Sequence, residues 1–193
     1  MLKKSGQRGF TLIEMLVTIS ILVLLSGMVV VNFRDAEKFN AVRLGAEQFV
    51  GVLREAQNYA LAQKRVVVGK DSIVPAGYGV YIKMVKGPTV EAVFFADTGP
   101  KPGVYEPKED LEIRTEELPR YAVFSSLLSG ATDELSLIFS PPNGAVTFGN
   151  LPAELKATEA AIVIQLYLDG EVGGTAKNVI VNSKTSLIEI KDY

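Results

Sequence analysis

The feature that most constrains this chain is a run of 19 residues, Met15 to Phe33, that carries no charge and is dominated by Leu, Ile, Val and Met. At about 1.5 Å of rise per residue, a helical run of this length can cross the roughly 30 Å hydrocarbon core of a bilayer. It sits directly behind a basic leader that holds Lys3, Lys4 and Arg8. Bases on one flank are expected to keep that flank cytoplasmic and to place the rest of the chain outside. No second apolar run of this length follows. The expectation is a single-pass membrane protein with its transmembrane segment over residues 10–33.

Charge is segregated along the 193 residues, although the net value is only −2. Residues 1–9 carry +3, residues 34–65 carry six bases and four acids, and residues 66–193 carry 11 bases against 17 acids. An acidic C-terminal region repels phosphates at long range, so no nucleic-acid partner is expected. The chain has no cysteine, histidine or tryptophan. That removes disulfides, thiol nucleophiles, the commonest general base and the commonest zinc ligands. No Gly-rich loop of P-loop or Rossmann form opens a helix, and no S-x-x-K occurs. The expectation is a protein that is not an enzyme, with no catalytic residues, no cofactor and no metal.

The leader does not read as an ordinary secretory signal, whose cleavage site follows the apolar stretch at small residues. Here Glu14 sits one turn into an otherwise apolar helix. A charge there costs about 2.5–3.5 kcal/mol at membrane centre and less near the edge. Such a carboxylate needs a cation, and no Lys or Arg lies nearby in the segment. Cutting between Gly9 and Phe10 would create one, a new α-amino group.

The residues Lys3-Lys4 and Arg8-Gly9-Phe10-Thr11-Leu12-Ile13-Glu14 resemble the class III leader of type IV prepilins and pseudopilins. The resemblance implies that a membrane peptidase cuts after Gly9 and methylates the Phe10 amine. It also implies that Glu14 is kept for assembly. Losing three bases would take the mature chain to a formal −5. Phe10 and Glu14, four residues apart, are expected on one helix face. An amine and a carboxylate about 4 Å apart gain roughly 4 kcal/mol at an effective dielectric of about 20, before desolvation. Between neighbouring copies that contact is heterologous and propagates as an open helix, which is a filament.

No proline occurs between residues 10 and 74, so the helix is expected to continue to about Arg65. Phe39, Val42, Ala46, Phe49, Leu53, Ala56 and Ala60 recur at spacings of three and four, with Arg43, Glu47, Arg54 and Glu55 off the stripe. Residues 34–65 therefore read as an amphipathic continuation that covers a sheet. Beyond it, residues 66–193 read as a β-rich globular head. Its strands are expected at Val66–Val68, Tyr78–Met84, Val90–Ala96, Tyr121–Ser125, Leu135–Phe139, Ala145–Phe148, Ala160–Leu168, Asn178–Asn182 and Ser186–Ile190. The fold class is α+β: one long N-terminal helix packed on an antiparallel sheet. The acidic stretch from Glu106 through Glu109, Asp110, Glu112 and Glu116 to Glu117 reads as a solvated loop and edge strand. Asp169-Gly170-Glu171 lacks the spacing of a calcium loop and reads as a plain hairpin turn.

Within the pilin superfamily the head is most similar to minor pseudopilins of the GspH/FimT type. The similarity rests on Leu53-Arg54-Glu55-Ala56 leading to Lys64-Arg65 and Val66–Val68, and on Phe139-Ser140-Pro141-Pro142-Asn143-Gly144. The closing pair around Asn182–Thr185 departs from that type in lacking its glycine and arginines. The resemblance implies a subunit of a type II secretion or type IV pilus system. Its partners would be other pilin or pseudopilin subunits, a prepilin peptidase and an inner-membrane assembly platform. A major pilin of the filament shaft and a membrane-anchored extracytoplasmic binding module are the alternatives.

Overall fold

The computed structural model describes residues 10–84, 89–128, 132–151, 159–168 and 171–192. The leader with Gly9 lies outside them, as do Asp169, Gly170 and the side chains of Phe39 and Glu171. The chain divides into two compact units, the first ending at Lys38 and the second running from Phe39 to Tyr193.

The helix expected from Phe10 to about Arg65 is α1, Leu12–Leu61. It stops short because the chain turns left-handed at Gln63, φ 47°. Gln63 N–H donates to the Ala60 carbonyl at 3.0 Å, and Lys64 N–H to the Tyr59 carbonyl at 3.0 Å. These two bonds form a Schellman ending, which satisfies carbonyls the last turn would otherwise leave open.

After α1 come β1 (Val66–Val68), β2 (Asp71–Ile73), β3 (Gly77–Lys83), β4 (Glu91–Asp97) and β5 (Leu111–Glu117). They are followed by β6 (Ala122–Leu127), β7 (Glu134–Ser140), β8 (Ala145–Gly149), β9 (Glu159–Leu168), β10 (Glu171–Asn182) and β11 (Ile188–Asp192). Where a single sheet was expected, the second unit holds a five-stranded sheet ordered β5-β4-β3-β7-β8 and a four-stranded sheet ordered β11-β10-β9-β6. A small β1-β2 hairpin completes it, and the pairings are antiparallel throughout. Periodicity names strands but not their partners, and here β6 pairs with β9 across a long stretch of chain.

Both sheets and α1 share one core. From α1 it takes Val42, Ala46, Phe49, Leu53, Ala56 and Ala60, every described residue of the expected stripe. Val50 and Val52 join them, widening the buried face. The five-stranded sheet contributes Val80, Ile82, Phe94, Leu135 and Leu137; the four-stranded sheet contributes Phe124, Ile162, Ile164, Val179 and Val181. Phe49 meets Phe124 edge to face at 5.0 Å, and Tyr59 meets Tyr78 at 5.4 Å. Fully burying a side chain of this size stabilises the fold by about 1.5–3 kcal/mol relative to exposure. Gly45, on the same helix, is buried where a β-carbon would lie 3.2 Å from that of Ala122. Its bare backbone sets how closely α1 approaches β6.

The five-stranded sheet is also buried on its second face. Tyr81, Phe95 and Ile138 form a separate cluster there with Tyr105, from the segment between β4 and β5. A β-carbon on Gly79 would lie 2.7 Å from the Leu137 carbonyl and 2.9 Å from an Ile138 methylene. Glycine at that point of β3 lets the neighbouring side chains close over the strand.

Candidate functional site

The N-terminal end of α1 is built by its own first residues. Thr11 precedes the first helical residue, and Glu14 lies three positions later. Glu14 N–H donates to the Thr11 hydroxyl at 3.3 Å, and Thr11 N–H donates to Glu14 Oε2 at 3.5 Å. This reciprocal pair is a capping box. The carboxylate also sits where the helix dipole favours negative charge. The spelling Thr-x-x-Glu before an apolar run was legible in the sequence, and it gives Glu14 a local partner that the search for a cation did not supply. Phe10 lies before the cap and is 76% exposed, so helical i,i+4 spacing does not apply between Phe10 and Glu14.

Every described residue from Phe10 to Met28 is exposed, on all sides of the helix. Leu12 at 84% and Met28 at 73% bracket a shell of isoleucine, leucine, valine and methionine. The Thr18 and Ser20 hydroxyls donate back to the Met15 and Leu16 carbonyls at 2.9 and 2.8 Å. They therefore place no unpaired donor on that surface. Among the described residues no helix is long and apolar enough to cross a membrane. The run expected to span continues over residues 29–33, whose side chains lie outside the described set.

In the second unit the acidic stretch runs into β5, the edge strand expected of it, but its loop is not wholly solvated. Asp110 is buried and receives N–H groups from Thr98, Gly99 and Glu106 at 2.9, 2.8 and 2.7 Å. Glu112 accepts the Tyr105 hydroxyl, and Glu106 pairs with Lys101 at 3.1 Å. Arg114 on β5 reaches α1, donating to both oxygens of Glu55 at 3.2 and 2.6 Å, and also pairs with Glu116. That hydrogen bond from Arg114 holds the Glu55 carboxyl below its ordinary value. Lys83 does the same for Glu134 across β3 and β7. Among the described residues no cluster of three or more acidic side chains is placed to hold a metal ion.

Residues 4–30 match the family model for the prokaryotic N-terminal methylation motif. The match covers the N-terminal segment alone, and it supports a prepilin-like substrate of pilin or pseudopilin kind. The motif implies processing by a prepilin peptidase and assembly with other pilins. No characterised protein and no solved structure matches the chain significantly.

Proposed function

We propose that this chain is a filament subunit, a minor pseudopilin or pilin of a type II secretion or type IV pilus system. In this reading the peptidase cuts between Gly9 and Phe10 and methylates the Phe10 amine. Residues 10–33 then hold the subunit in the inner membrane, with the head outside, until the assembly platform passes it into the filament. The observation that carries the reading is the methylation motif at residues 4–30 joined directly to a helix whose apolar side chains are exposed all round. Such a surface is stable only under lipid or under other helices. Glu14 is the assembly residue in this account. In the membrane its carboxylate gains more from the amine of a neighbouring subunit than from a single backbone N–H. The GspH/FimT-like pieces of the head support a minor rather than a shaft subunit.

The test is intact-mass analysis after co-expression with a prepilin peptidase. The expected product lacks nine residues and carries one added methyl group at Phe10. Gly9→Val should block the cut without preventing membrane insertion. An uncut wild-type chain would end the reading.

A further inference from the structure

Around the end of α1, residues 61–76 carry Lys64, Arg65 and Lys70 against the single acid Asp71, whereas residues 77–193 carry ten bases against 16 acids. The β1-β2 hairpin lies in this basic stretch and pairs with neither large sheet. Its base is tied down: the Tyr78 hydroxyl donates to the Lys64 carbonyl at 2.7 Å, and Arg65 Nε donates to the Ser72 hydroxyl at 3.0 Å. Val66 packs against the core. Alternation along β1 puts Val67 on the opposite side, where it is 67% exposed, and Val68 and Val74 are exposed with it. A two-stranded hairpin is marginal in water and gains from a partner that covers its apolar side.

A cleft of about 560 Å³ opens where the β5–β6 connection meets the end of β9. Val90, Leu118, Pro119 and Tyr167 give it apolar walls, and Glu117 and Arg120 add one charge of each sign. Tyr121 on its wall is held left-handed at φ 73°, a conformation that is strained for a bulky residue and persists only where its surroundings fix it. Its carbonyl accepts the Tyr167 N–H at 2.9 Å, and Arg120 lies over its ring at 4.8 Å. The cleft adjoins α1 at Gly45, where a β-carbon would lie 3.4 and 3.5 Å from Pro119 and Leu118. From Gly45 to the helix end at Leu61 is about 24 Å of α1, so the hairpin does not reach the cleft of its own molecule. Glu117 stands opposite Glu91 across β4 and β5, and like charges so placed repel. Among the described residues neither glutamate has an ion-pair partner, and neither do Lys70 and Asp71 at the hairpin turn.

We propose that the β1-β2 hairpin of one copy of this chain seats in the cleft of a second copy. Val67 and Val68 cover the apolar walls, Lys70 meets Glu117 and Glu91, and Asp71 meets Arg120. A doublet of unlike charges on the hairpin thus faces its complement at the cleft, and both halves belong to the same chain. The two surfaces differ, so the contact is heterologous and leaves each pair with one open hairpin and one open cleft, onto which further copies add in series. It is a contact between heads and stands whether or not the leader is cut. Joined to the filament reading, it makes copies of this chain neighbours along the filament.

The chain has no cysteine, so introduced ones report the contact directly. Two differently tagged full-length copies, Val67→Cys and Val90→Cys, are mixed in detergent and treated with a short bis-maleimide. The expected product is the mixed dimer, in excess over that from Val67→Cys mixed with Arg54→Cys, an exposed position between the two ends of that stretch of α1. Lys70→Glu on the hairpin copy should lower the mixed yield by up to about fivefold, the span of exposed ion pairs, and Glu117→Lys on the other copy should restore it. A yield equal to the Arg54→Cys control, with every cysteine labelled by maleimide alone, would overturn the contact. So would a Val67→Cys homodimer formed as readily, because hairpins would then be meeting each other, or a yield indifferent to both charge reversals. Peptidase processing is read separately by mass, so a missing crosslink with normal cleavage would remove this contact and leave the prepilin reading in place.

Discussion

Glu14 carries two properties that one substitution can separate. Its side chain reaches back to the Thr11 N–H, which a glutamine can also do, and it carries a charge, which a glutamine does not. Glu14→Gln should keep both bonds of the capping box, whereas Glu14→Ala should keep only the Thr11 hydroxyl's bond to the backbone N–H of residue 14 and leave the Thr11 N–H open. If pairing with a neighbour's amine drives assembly, both variants should insert into membranes and be cleaved, and both should fail to crosslink into filaments. Filaments of normal yield from Glu14→Gln would leave capping as the residue's whole contribution. The pattern Thr-x-x-Glu was open to reading at the outset, but attention to charge alone hid it. A carboxylate in an apolar run prompts a search for a cation, and the backbone amide that satisfies it does not appear in any count of charges.

At the scale of elements, α1 was legible because its buried residues obey a period that only a helix can satisfy. Phe49 is the sharpest case, 2% exposed and in edge-to-face contact with Phe124. Phe49→Ala should cost about 3–5 kcal/mol by chemical denaturation, while the exposed Arg54→Ala should stay within about 0.5 kcal/mol of the parent. Equal stability of the two variants would mean the buried face is wrongly assigned. The β-strands were less legible. β5, Leu-Glu-Ile-Arg-Thr-Glu-Glu, is the exception: it is the edge strand expected of the acidic stretch, pairing with β4 where one face stays wet and Arg114 can bridge to α1. The first half of β10 reads as a glycine-rich turn, yet it extends the strand past an irregularity between Val172 and Ala176. β2 is only three residues long, and Asp71 and Ser72 are polar. Most of all, no pattern along the chain announces that β6 pairs with β9 to make a second sheet, since that choice is settled by core packing between distant segments.

For the whole molecule, the unit from Phe39 onward has its own core, so deleting residues 1–33 should leave a soluble, folded head with a cooperative melt. A molten or aggregated product would show that the first unit is needed for folding. Acid should unfold this head. Glu55 and Glu134 sit below the ordinary carboxyl value of 4.5 in the folded state. Their contribution is complete above that value and is lost as pH falls through the lowered ones. Melting temperature should therefore drop on acidification, and Arg114→Gln should make the drop shallower; an unchanged slope would remove the Glu55 pair from the account. The core that α1 shares with both sheets has a mechanical consequence. A pull along the helix axis must draw Phe49, Leu53, Ala56 and Ala60 out of that core together, so the load is shared in shear across it rather than peeled off one contact at a time. A subunit drawn by its helix would yield only at high force, and then abruptly.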